Sequence, residues 1–144
     1  MSKYIDRMKR GSELLKKMGK EGMLGDQKAN SPQLYELTLG HLYGDIWTRP
    51  HLSLRDRELI TLAANIALAR TNGNHSHYHS ALHIGVTKNQ IMELIIHVGH
   101  YAGWPAMGLA ARQFKRVLDI RAAGQKKNKP ESAKELRAAW ERNA

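Results

Sequence analysis

Apolar positions recur at helical spacing along almost the whole chain, and strand-like alternation is sustained nowhere. The punctuation between these stretches predicts six helices and a C-terminal tail helix. Residues 3–18 pattern as an amphipathic basic helix, closed by a glycine-rich linker over 19–25. Ser31 and Pro32 place an N-cap before a proline at the first helical position, opening QLYELTLGHLYGDIW. Pro50 interrupts the chain, and Ser53, with Asp56 three residues on, caps LRDRELITLAANIALA. Leu59, Ile60, Leu62, Ala63, Ile66 and Ala67 put apolar groups on more than one side of that helix, so it is expected to be central and heavily buried. Asn72-Gly73-Asn74 turns into a short histidine-rich helix, which Gly85 ends as a left-handed C′ residue. Thr87 and Gln90 form a capping box for KNQIMELIIHVGHYAG. Pro105 starts AMGLAARQFKRVLDIRAAG, whose early small residues permit close helix contact. A polar linker over 126–130 then leads to a last helix, capped by Ser132 with Glu135 and carrying Trp140. The fold class is all-α: a bundle of about six helices plus a C-terminal tail helix.

At 144 residues the chain reads as one domain over 1–144, with a basic N-terminal helix and linker over 1–30, a core over 31–120 and a basic extension over 121–144. Lys and Arg number 23 against 13 Asp and Glu, and the resulting +10 sits largely at the two ends. Those ends are expected to be solubilising and frayed. Aromatic residues are not interleaved with the basic ones as a stacking platform requires, so no nucleic-acid partner is expected. The absence of Cys excludes disulfides, thiolate metal ligands and thiol redox chemistry. No stretch reaches about 18 consecutive apolar residues and the first thirty carry no hydrophobic leader, so a soluble cytoplasmic protein without a membrane partner is expected.

The stretch TNGNHSHYHSALHIGVT, residues 71–87, holds four of the eight histidines. His75, His79 and His83, four apart, share one helical stripe, whereas His77 falls with Ala81 and Ile84 on the apolar side. The three could bind a divalent metal only with a further ligand, because the stretch contains no acid; otherwise they form a stripe facing solvent or another subunit. His77 is either a functional group or a satisfied core histidine. On the next helix Glu93, His97 and His100 share a face, with Tyr101 adjacent, and an intrahelical Glu–His pair at a subunit contact is the plain reading. Glu58 interrupts the apolar run of the central helix. Its desolvation costs several kcal/mol unless it is paired, so either an Arg or His neighbours it or it is held protonated for proton transfer.

LSLRDRELITLA, the His-x-x-x-Ala-Leu-x-x-Gly-Val-Thr pattern from His77 and YAGWPA at 101–106 resemble, in that order, the carboxymuconolactone decarboxylase family of the alkyl hydroperoxidase D-like superfamily, over roughly 35–118. The resemblance implies a small helical subunit in homotrimers or homohexamers, with sites near subunit contacts and no metal or organic cofactor. It implies release of CO2 from γ-carboxymuconolactone or a similar acid of aromatic-compound catabolism. The hydroperoxidase branch places a Cys pair where this chain has Arg70 and Gly73, its histidine at His77 and its glutamate at Glu58. With no sulfur to cycle, dithiol peroxidase chemistry is excluded.

On that resemblance His77 is the proton donor and Glu58 its orienting acid, acting on a small-molecule carboxylate substrate. Arg57, or alternatively Arg49 or Arg70, is expected to hold a carboxylate. Tyr101 and Trp104 are expected to wall the pocket, with His97 and His100 as further candidates in the substrate site. Other cofactor-independent chemistry on the scaffold, isomerase or hydrolase, and a non-enzymatic accessory role stay open. Spacing alone does not pair Glu58 with His77. In a straight hairpin they would lie about 18 Å and about 5 Å from the turn, so the first helix must end early, the helices must cross steeply, or a second subunit must intervene.

Overall fold

The computed structural model describes residues 3–126 and 133–142, and every regular element among them is helical. The order is α1 (Lys3–Lys17), α2 (Gly25–Asn30), α3 (Pro32–Glu36) continuing into a π-helical stretch π1 (Leu37–Ile46), α4 (Leu54–Ala67), α5 (Asn74–His83), α6 (Lys88–Ala102), α7 (Trp104–Lys126) and α8 (Ala133–Arg142). Among the described residues no helix is long and apolar enough to cross a membrane.

Two apolar clusters organise these helices. Leu62, Ile66, Tyr78, Ile91, Ile95, Phe114 and Val117, with Leu136 and Trp140 of α8, make the larger one. Leu14, Leu15 and Met18 of α1 pack with Leu39 and Tyr43 of π1 in the smaller. The basic ends are therefore packed elements, not frayed ones. Gly11, Leu14, Leu15 and Met18 fall at i, i+3, i+4 and i+7 and are buried, which leaves Lys3, Lys9, Arg10, Lys16 and Lys17 exposed on the outer side, while Arg7 is half-buried on the packed stripe. Charge composition hid this stripe, because a helix can be strongly basic and still bury one face. Against π1 the approach is backbone-close: a Cβ on Gly11 would lie 2.0 Å from the Leu39 carbonyl oxygen, and one on Gly44 2.1 Å from that of Arg7.

The punctuation largely holds. Ser53 caps α4 by accepting from the Asp56 amide at 3.0 Å, Thr87 and Gln90 complete their capping box, and Pro32 sits at the start of α3. Ser31 makes no side-chain cap, and the helix it opens widens into the i→i+5 ladder of π1, as in the bond from the Trp47 amide to the Leu42 carbonyl. Apolar spacing over ten residues does not separate the two ladders. The linker after α1 leads at Gly25 into a short helix, α2, that the punctuation did not predict. Residues 127–130 of the expected linker and the Ser132 cap lie outside the described residues. The expectation of an all-round buried α4 needs correcting: Leu62 and Ile66 are buried, but Ile60 is 54% exposed beside a shallow apolar trough shared with α6.

Three helices end in the same way. At α1, α4 and α5 the residue two past the C-cap donates its amide five residues back while a left-handed residue intervenes: Lys20 to Leu15, Arg70 to Asn65, Val86 to Ala81. The left-handed residue is Gly19 or Gly85 in two cases and Ala69, with φ 49°, in the third. Ala69→Gly is expected to raise stability by about 0.5–1 kcal/mol, since left-handed strain of roughly 1–2 kcal/mol exceeds glycine's roughly 0.5–1 kcal/mol entropic cost. Urea unfolding of the two proteins checks this; a less stable glycine variant would contradict it.

Candidate active site

The two predicted groups meet within one chain. His77 Nδ1 lies 2.8 Å from Glu58 Oε2. By helical rise Glu58 stands about 13 Å from the end of α4 and His77 about 5 Å from the start of α5, so their contact shows that the two helices do not run as a straight hairpin with level ends. Ending α4 at Ala67 instead of Arg70 shortens the mismatch further. No second subunit is needed for this pair.

A third member was not foreseen. Lys20 is fully buried, with Nζ 3.4 Å from Glu58 Oε1 and 3.4 Å from His77 Nδ1. Its ammonium also lies over the rings of Tyr43 and Trp47, at 5.8 and 5.9 Å from their centroids. Trp47 in turn stacks on His77, ring centroids 6.0 Å apart. The site thus sits where α1, π1, α4 and α5 converge. A signal for Lys20 was present in the sequence: a lysine directly after a C′ glycine. The position after that glycine usually turns an apolar side chain back onto the helix, as Val86 does after Gly85. A lysine there is carried inward, and composition assigned it instead to a solvated basic end.

Burial, charge and hydrogen bonding shift each group's ionisation in a definite direction. Burial opposes ionisation of Glu58, but the His77 hydrogen bond, the Lys20 charge and His77 together hold its carboxyl below the ordinary range. The Ser80 hydroxyl, buried in the same layer, makes no hydrogen bond of ordinary geometry yet lies close enough to favour the carboxylate. Burial lowers the Lys20 pKa, and Glu58 opposes that shift. Burial and the Lys20 charge depress His77, against the pull of Glu58. The consistent assignment is Glu58 ionised, Lys20 charged and His77 neutral, with Nδ1–H donated to Glu58 and Nε2 free on the opposite edge of the ring. Glu58 and Lys20 side chains have no solvent contact, whereas that of His77 keeps 15% exposure.

The His75–His79–His83 stripe does not face solvent as expected, except at His83. His75 stacks on Trp140 at 5.2 Å between ring centroids, and His79 is buried against Gly19 and Arg121. The packed chain ends supply the cover. Among the described residues no three His, Asp or Glu side chains converge as a metal site. Burial pushes both His75 and His79 down to about 4 from an ordinary 6.5. Between those pH values the unfolded chain binds more protons than the folded one, so stability falls as pH drops through the window, by up to about 1.4 kcal/mol per pH unit for each histidine. Urea unfolding at pH 7 and pH 5 is expected to show a loss of at least about 2 kcal/mol; equal midpoints would contradict these neutral, buried imidazoles.

The remaining expected residues lie elsewhere on the chain. Arg57, next to Glu58 on α4, donates from Nη2 to the Arg49 carbonyl at 2.7 Å, and its Nε is buried without a hydrogen-bond partner. Arg70 and Gly73 occupy the α4–α5 loop, where Gly73 takes φ 90°. Glu93, His97 and His100 are exposed on α6. His97 packs on Tyr101, 85% exposed, and His100 on Trp104, 73% exposed. None of the four joins the hydrogen bonds or ring contacts around Glu58 and His77.

Residues 32–116, more than half of the chain, match the carboxymuconolactone decarboxylase family. Over 88 residues, 60% of this chain, it is 38% identical to the 4-carboxymuconolactone decarboxylase of Acinetobacter baylyi, covering 66% of that protein. Over 71 residues, 49% of this chain, it is 32% identical to the nitrosuccinic acid decarboxylase npaB of Metarhizium robertsii, covering 50% of that protein. The chain therefore aligns with one-half to two-thirds of the length of these relatives. The family segment contains α4 and α5, hence both Glu58 and His77, while Lys20 precedes it. On the length of that match, the chain belongs to the carboxymuconolactone decarboxylase family.

Proposed function

We propose that the chain is a cytoplasmic carboxy-lyase that works without metal or organic cofactor and releases CO2 from a small carboxylated lactone or a similar acid of aromatic-compound catabolism. The observation that supports this best is the charge balance of the buried trio. With His77 neutral, Glu58 and Lys20 cancel; a proton on His77 leaves one uncompensated positive charge on an imidazole whose side chain keeps 15% exposure. Binding a carboxylate there offsets that charge, so substrate binding and proton uptake on Nε2 favour each other. The proton is then where the chemistry consumes it. The carbon–carboxylate bond breaks, its electron pair passes into the substrate's acceptor group, CO2 leaves, and His77 delivers the proton to carbon. Substrates named for the two relatives, an unsaturated lactone acid and a nitro dicarboxylic acid, both carry such an acceptor. Glu58 fixes the tautomer, and Lys20 keeps Glu58 ionised.

Arg57, beside Glu58 on α4, is proposed to hold a second substrate carboxylate with the guanidinium N–H groups that the Arg49 carbonyl leaves unused. The exposed row His97, His100, Tyr101 and Trp104 is proposed to wall the site of a neighbouring copy in a homotrimer or homohexamer, which accounts for two large aromatics left in solvent. Sedimentation showing only the 16.3 kDa species would overturn the assembly. The activity is tested by measuring CO2 release from 4-carboxymuconolactone, nitrosuccinate and a panel of lactone and keto acids. CO2 from at least one supports the proposal, and none from any of them overturns it.

A further inference from the structure

His77 and His79 stand two residues apart on α5, yet both reach the same turn at the end of α1. His77 faces the Lys20 ammonium, and His79 Nε2–H donates to the Gly19 carbonyl at 3.2 Å. His79 Nδ1 accepts from the Arg121 guanidinium at 2.8 Å, which fixes the neutral Nε2–H tautomer needed for the Gly19 bond. His83, stacked on His79, closes the other side: a Cβ on Gly19 would lie 2.7 Å from its ring. The Gly19 turn is therefore gripped at its carbonyl and at its α-carbon. The next side chain along is the buried lysine.

We propose that Arg121 and His79 are positioning residues for the candidate site, clamping the Gly19–Lys20 turn so that the Lys20 ammonium stays on Glu58. Arg121 follows the family-matched segment and Lys20 precedes it, so the two ends of this chain complete a site whose acid and imidazole come from the middle. The inference concerns the reading of Glu58, His77 and Lys20 as the active site. It is tested through their electrostatics, so it stands or falls separately from the lyase activity.

The groups facing the His77–Glu58 pair are Lys20 from the α1 turn, Tyr43 of π1, Trp47 just past its end and, along α5, His75. Of these Lys20 supplies the positive charge that depresses His77, so displacing it lifts the His77 titration. The experiment follows the His77 ring by NMR across pH in the full chain, with no substrate present. Lys20→Met is expected to raise the His77 pKa, and Arg121→Met to raise it in the same direction by at least about half a unit. Arg121→Lys, which can still donate to Nδ1, is expected to stay near wild type. An Arg121→Met protein that loses stability while His77 titrates as in wild type would overturn the proposal. Should that variant not fold, His79 provides the second arm. His79→Gln keeps a donor for the Gly19 carbonyl and is expected to preserve the titration, whereas His79→Leu is expected to shift it; equal shifts in both would overturn the proposal. Where CO2 release is measurable, Arg121→Met is expected to lower kcat roughly ten- to a hundredfold with KM little changed.

Discussion

Glu58→Leu is expected to cost the fold about 3–5 kcal/mol, the range for removing one partner of a buried ion pair. The leucine fills much of the same space, so the loss is not chiefly a cavity. It arises because Lys20, with no solvent contact, is left facing an unpaired imidazole and two aromatic faces. Burial already depresses the Lys20 pKa with Glu58 opposing it; without Glu58 the lysine is expected to shed its proton more readily or pull the α1 turn out toward water. Either route carries a signature. The double variant Lys20→Met with Glu58→Leu removes both charges and is expected to recover most of the loss, as a buried pair replaced by apolar groups of similar volume often does. Urea unfolding of the single and double variants at pH 7 checks this. A Glu58→Leu protein within about 1 kcal/mol of wild type would show that the carboxylate does not carry the lysine's charge.

That dependence explains which parts of the molecule could be read in advance. Ser53, Thr87 with Gln90 and Gly85 are local signals, each settled by a hydrogen bond within a few residues, and each appears where its sequence puts it. His77 was separable from its neighbours because helical geometry alone turns it from the 75–79–83 stripe. Its contact with Glu58 was not, since nothing local sets the crossing of α4 and α5; only the family resemblance pointed to it. Lys20 and Arg121 were hidden for a third reason. Both lie in segments whose composition is that of solvated ends, and only the buried residues Leu14, Leu15, Met18, Leu136 and Trp140 reveal that those ends pack. The widening of α3 into π1 left no trace in the apolar pattern, although it carries Tyr43 and Trp47 to the site.

His77→Ala is expected to lower kcat for CO2 release by roughly 10²–10⁴, the range for losing a positioned general acid. His77→Gln is expected to do the same while keeping a donor for Glu58, so that the loss reports proton transfer and not collapse of the trio. Turnover within threefold of wild type in both would remove His77 from the mechanism. The pH profile supplies the sign. Donation requires the imidazolium, and burial with the Lys20 charge holds the free-protein pKa of His77 below its ordinary 6.5. The competent form is therefore lost as pH rises through that depressed value, and log kcat/KM is expected to fall with a limiting slope near −1 above it. Lys20→Met removes the positive charge that favours the neutral ring and is expected to move the break to higher pH. If kcat/KM instead rises with pH over the same range, Nε2 acts as a base, and the proton that completes the reaction comes from another group.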